Sequence, residues 1–152
     1  MNWPRPIRVI GCGSPHGDDA VAWQVVARLR NEKPALDAEL HSVSGGHAML
    51  NLLDGTGSLV LIDAVSAGTE SGTIHRLDWP TARAEVLRPG STHALRPAEA
   101  LQLASSLGLL PSHVIVWGIE VTGVQPGLGL SRPVAEAVVL LARRVVEELR
   151  HA

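Results

Sequence analysis

Arg8-Val9-Ile10-Gly11-Cys12-Gly13-Ser14-Pro15-His16-Gly17-Asp18-Asp19 runs from a short apolar strand through a glycine-rich turn to two adjacent carboxylates. A helical pattern follows at once. Val21, Val25 and Leu29 recur at four-residue intervals, which predicts a helix over 20–32. Arg28, Arg30 and Lys33 sit near its end, where cations suit the helix dipole, and Pro34 stops it. A second apolar strand, Leu59-Val60-Leu61-Ile62, also finishes on an acid, Asp63. In a parallel sheet both strands deliver their acids to the carboxyl edge, where open α/β folds keep their sites.

Outward from these two strands the chain alternates strand and helix. Residues 38–43 form a half-exposed strand in which Glu39 and His41 flank Leu40, and His47 to Leu53 form a short helix. A loop over 64–72 leads to an edge strand at 73–77, and residues 78–92, with Pro80, Pro89 and Gly90, make an irregular connection. His93 precedes a helix with Pro97 in its first turn and Ala98, Leu101, Leu103 and Leu107 along it, ended by Gly108. His113 to Glu120 is the last strand, built on Val114-Ile115-Val116-Trp117. After a loop over 121–130, Ser131 caps a closing helix. Val134, Val138, Leu141, Val145 and Leu149 form its apolar face, and Arg143, Arg144, Glu147 and Glu148 face water. The alternation predicts one three-layer α/β domain over 1–152, a twisted, mostly parallel five-stranded sheet between helices.

Composition agrees. At 152 residues one domain with a sizeable core is expected. Tyr and Phe are absent, so Val, Leu, Ile and Ala must build the core, with four Trp to fill larger gaps. The net charge is −2, and the thirteen Lys and Arg are scattered, which argues against nucleic acid or an anionic membrane as partner. The single cysteine, Cys12, makes no internal disulfide. The N-terminal residues lack the apolar core of a signal peptide, and the longest apolar run, 137–142, is far too short to span a bilayer. A cytoplasmic, soluble monomer is expected.

Gly11-Cys12-Gly13 after a strand invites a dinucleotide site, but the third glycine of G-x-G-x-x-G falls on His16. Asp18 and Asp19 would also repel a pyrophosphate at that helix end. One aspartate suffices to cap the helix, so the second asks for another explanation. A carboxylate directly after four apolar strand residues, as at Asp63, must find a donor, a cation or water. Among seven histidines, His93 is the candidate third group, with His16 and His47 in reserve, in turns that reach the same edge. Two carboxylates and one imidazole from separate loops suit a divalent transition metal and leave coordination positions open.

In order along the chain stand Val-Ile-Gly-Cys-Gly-Ser-Pro-His-Gly-Asp-Asp (9–19), Ser-Gly-Gly-His-Ala-Met (44–49), Leu-Val-Leu-Ile-Asp-Ala-Val (59–65), Ser-Thr-His-Ala-Leu (91–95), Trp-Gly-Ile-Glu (117–120) and Gly-Leu-Ser (129–131). This succession resembles the hydrogenase maturation endopeptidases. The resemblance implies a nickel-dependent peptidase that trims a C-terminal tail from the large-subunit precursor of a [NiFe] hydrogenase. It implies Asp19, Asp63 and His93 as the metal-contacting and catalytic residues, with nickel supplied by the substrate's own metal centre. The chain departs from the family pattern at Ser14, where Asn is usual, in a turn one residue shorter before Asp18, and at Ala20 and Ala22, where Gly is common.

Two mechanisms follow from such a set. The metal polarises the scissile carbonyl or activates water, or Asp19 or Asp63 serves as general base while the metal docks the substrate. A catalytically silent, metal-dependent module that inspects the precursor, or a small-substrate hydrolase on the same type of sheet, would use the same scaffold.

Overall fold

The structure, a computed structural model, describes residues 2–80, 95–122 and 129–152. Five strands form one sheet in the order β2-β1-β3-β5-β4: β1 (Ile7–Cys12), β2 (Glu39–Val43), β3 (Ser58–Val65), β4 (Ile74–Asp78) and β5 (His113–Glu120). The first three and β5 are parallel; β4 runs antiparallel along the outer edge of β5. Helix α1 (Val21–Arg30) and helix α4 (Arg132–Arg150) cover one face, and α2 (Gly46–Leu50) and α3 (Pro97–Ser106) the other. The expected three-layer α/β arrangement is present. Among the described residues no helix is long and apolar enough to cross a membrane.

Aliphatic residues fill both layers, as the missing Phe and Tyr require. All eight residues of β3 are buried, because helices close both faces of a central parallel strand. Val60, Ile62 and Ala64 point to the α1–α4 layer, whereas Leu59, Leu61 and Val65 point to the α2–α3 layer. The predicted apolar face of α4 is buried throughout, and each such aliphatic side chain contributes about 1.5–3 kcal/mol by leaving water.

Several boundaries differ from expectation. Strand β3 does not stop at Asp63: Asp63, Ala64 and Val65 pair with Gly118, Ile119 and Glu120, which carries the strand two residues further. Helix α3 turns Ala100, Leu101 and Ala104 inward and leaves Leu103 and Leu107 exposed. Glu148 is only partly exposed: the Trp117 indole and the Arg76 guanidinium both donate to it. Most of the irregular 78–92 connection, and His93 with it, lies outside the described residues, as does 123–128 of the loop before α4.

Candidate functional site

The connectivity opens a crevice at one place. From β1 the chain crosses by α1 to β2 on one side, then returns by α2 over the opposite face to β3 on the other side. The strand order therefore switches direction between β1 and β3, the point at which open α/β sheets form a crevice at the carboxyl ends of their strands. The turn carrying Asp18 and Asp19 leaves β1 on one flank of it, and Asp63 stands near the end of β3 on the other.

The first turn is compact because glycine makes it so. A Cβ on Gly11 would lie 2.9 Å from the Ala22 carbonyl oxygen and from a methyl of Val26, so α1 packs directly on β1. At Gly13 the clash would be harsher, 2.3 Å from the carbonyl oxygen of Asp19. That oxygen accepts the Ser14 amide at 3.1 Å, and the Asp19 amide donates to the His16 carbonyl at 3.0 Å. A single 3-10 turn, Gly17–Ala20, results, with Asp19 half-buried in it.

The two neighbouring acids separate in role. Asp18 is buried and does not cap its own helix; it reaches 113 positions along the chain. Its Oδ1 accepts the Ser131 amide at 2.8 Å and its Oδ2 accepts the Ser131 hydroxyl at 3.0 Å. Ser131 is the N-cap of α4, so Asp18 supplies both the acceptor and the negative charge that a helix N-terminus favours. Asp18→Ala is expected to lower stability by about 2–3 kcal/mol and Tm by about 5–10 °C in a thermal melt, with Asp18→Asn recovering part of the loss.

Asp63 is buried, and its Oδ1 accepts the amide of Ala64 at 2.8 Å. By the alternation along β3 it shares the α2–α3 face with Leu61 and Val65, the face that Ile10 and Cys12 of β1 also line. Burial first, and then the nearby charge of Asp63, push the Cys12 thiol far above its usual range. Both effects work against the thiolate, the form in which a cysteine acts as a nucleophile.

His93 lies outside the described residues. The first described residue after that gap, Leu95, accepts the Gly46 amide through its carbonyl at 3.1 Å, at the head of α2 in the same layer that Asp63 faces. The two reserve histidines are exposed: His16 precedes the 3-10 turn and His47 lies on α2. Among the described residues no three His, Cys, Asp or Glu side chains are grouped to hold a metal ion.

A third buried acid went unassigned in the sequence. Glu120 closes β5 almost fully buried. Its two oxygens share the Ala67 amide at 3.0 Å each, and Oε1 also accepts the Thr69 hydroxyl at 2.7 Å and faces His75 Nε2 at 3.2 Å. Burial alone would raise this carboxyl; the Thr69 hydroxyl, the Ala67 amide and His75 together outweigh it and hold the group below the usual carboxylate range. The sign that betrayed Asp63, an acid directly after an apolar strand run, was equally available here.

A mostly parallel sheet between helix layers, with a glycine-tight turn setting acids beside its switch point, defines the scaffold class. The family described as hydrogenase maturation protease matches residues 40–148, and the chain belongs to that family, a family of peptidases. The matched stretch contains Asp63 and begins after the Asp18-Asp19 turn. Solved structures agree in fold. An endopeptidase from Escherichia coli is 23% identical with a TM-score of 0.81, over 97% of this chain and 93% of that one. The hydrogenase maturating endopeptidase HybD from E. coli is 21% identical with a TM-score of 0.78, over 97% and 93%. The [NiFe] hydrogenase maturation protease HycI from Thermococcus kodakarensis KOD1 is 20% identical with a TM-score of 0.70, over 97% and 94%. No curated protein sequence matches significantly.

Proposed function

We propose that this peptidase removes the C-terminal extension from the large-subunit precursor of a [NiFe] hydrogenase after nickel insertion. The observation that carries the reading is the buried carboxylate of Asp63 at the β1–β3 crevice, in a chain of the maturation protease family. Asp19 stands on the opposite flank of that crevice. With His93 these residues make a set of two carboxylates and one imidazole, a donor type that suits nickel.

The nickel belongs to the substrate. Asp19, Asp63 and His93 engage the loaded centre of the precursor, hold it at the crevice and present the adjoining peptide for hydrolysis. When bound, that metal would supply Lewis acidity at the scissile carbonyl. A carboxylate of this chain takes the proton of the attacking water, a role worth about 10²–10⁴-fold in rate. The protein works in the cytoplasm as a monomer, on a folded protein partner rather than on nucleic acid or membrane.

Nickel-replete and nickel-free precursor, incubated with the full chain and weighed by mass spectrometry, test the reading. The replete form should lose one fixed C-terminal mass and the nickel-free form should stay whole. A replete precursor that stays intact overturns the reading. One that binds without being shortened moves the chain to the silent inspecting module, and normal cleavage by His93→Ala removes His93 from the site.

A further inference from the structure

The β3–β4 connection, residues 66–73, leaves the sheet only two residues beyond the strand pairing of Asp63 and its immediate neighbours. Its sequence, Ser-Ala-Gly-Thr-Glu-Ser-Gly-Thr, holds no large apolar side chain. Gly68 and Gly72 take φ of +83° and +92°, and no residue of the segment is fully buried. Such a loop has no hydrophobic anchor of its own. Gly72 packs on the Pro133 backbone at the start of α4, and Thr73 bonds to the Glu70 carbonyl, but most of the hydrogen bonds that tie the loop to the sheet go to one residue of the neighbouring strand.

Glu120 contacts the loop from both its side chain and its backbone. Its carboxylate takes the Ala67 amide and the Thr69 hydroxyl, and meets His75 at the start of β4. Its backbone amide donates to the Thr73 carbonyl at 2.8 Å, and its carbonyl accepts the Gly72 amide at 2.8 Å. One residue further on, the Val121 amide donates to the Val65 carbonyl at 3.1 Å. At Gly118 an added Cβ would lie 2.4 Å from Val65, so β5 and the end of β3 are in the closest contact there. Both ends and the middle of the loop are thus referred to the last residue of β5. Charge-assisted bonds to a buried carboxylate are among the stronger single contacts available to a polar loop.

We propose that Glu120 is a positioning residue for substrate: its buried carboxylate holds the 66–73 loop against the carboxyl edge of the sheet, and the loop so held is one wall of the crevice that receives the extended precursor tail beside Asp63. This inference rests on the peptidase reading above. Glu120 itself touches no reacting atom. It acts through the loop, and its loss shows in how tightly the tail binds.

The test uses the full chain with Glu120→Gln and Thr69→Val, amide hydrogen exchange and steady-state cleavage of nickel-loaded precursor. In Glu120→Gln, exchange at 66–71 should quicken about tenfold or more while 114–117 of β5 stays protected. KM for the precursor should rise about tenfold, and KM should carry most of the fall in kcat/KM. Thr69→Val, a partly buried contact with little cost to folding, should show the same pattern at about threefold. Should Glu120→Gln fail to fold, Thr69→Val decides. Unchanged loop exchange in both variants overturns the proposal, as does faster exchange with KM unaltered. If the wild-type chain leaves loaded precursor whole, the peptidase reading fails, and the exchange result still decides whether Glu120 holds the loop.

Discussion

Asp63→Asn is expected to lower kcat/KM for nickel-loaded precursor by about a hundred- to ten-thousandfold while the chain stays folded. Asparagine has the same shape, and its carbonyl still accepts the Ala64 amide that Asp63 accepts at 2.8 Å. The charge is removed, and one acceptor oxygen becomes an amide donor. A near-isosteric change that keeps the Ala64 contact should leave the fold intact, which a thermal melt checks. Lost activity in a chain that stays folded is the diagnostic result, since a group kept for packing would lose both together. Mass spectrometry of the cleavage reaction beside a thermal melt reads the two numbers. Cleavage within tenfold of wild type would take Asp63 out of the chemistry.

Gly13→Ala is the second large effect, and it acts through geometry alone. The new methyl would meet the Asp19 carbonyl oxygen at 2.3 Å, well inside contact distance, and the obstacle is backbone rather than a side chain that can swing away. The 3-10 turn must move, and the Ser14–Asp19 hydrogen bond must lengthen or break. A shift of about 1 Å in a positioning group can cost about a hundredfold in rate, and that loss is expected in kcat/KM. Stability should fall by about 1–3 kcal/mol, the usual range for overpacking. Gly129→Ala is the matched control, because among the described residues nothing lies within 4 Å of an added Cβ there, and its effect should stay within about 0.5 kcal/mol. If both variants cleave precursor equally well, the turn does not set the site.

Asp63 could be read in advance because an acid after Leu59-Val60-Leu61-Ile62 breaks a pattern that needs no partner to be noticed. Strand β5 and the inward stripe of α4 were legible for the same reason, since apolar runs and four-residue spacing are local signals. The link from Glu120 to His75 was not. It depends on β4 turning antiparallel against β5, which places His75 opposite Gly118, and nothing in either strand's own residues announces that pairing. Asp18 shows the same limit: the sequence raised helix capping as its bland explanation, and capping is its work, but the helix it serves begins at residue 132 rather than next door. Strand β3 outran its expected end because pairing with β5, not local composition, decided where it stopped.

The tie between Asp18 and Ser131 also bears on how the protein comes into being. A ribosome releases the acid turn early, yet its anchor lies 113 positions later. Any nascent polypeptide shorter than that holds the turn without its clamp. Competence to cut should therefore arrive late in synthesis, once Ser131 has joined the fold.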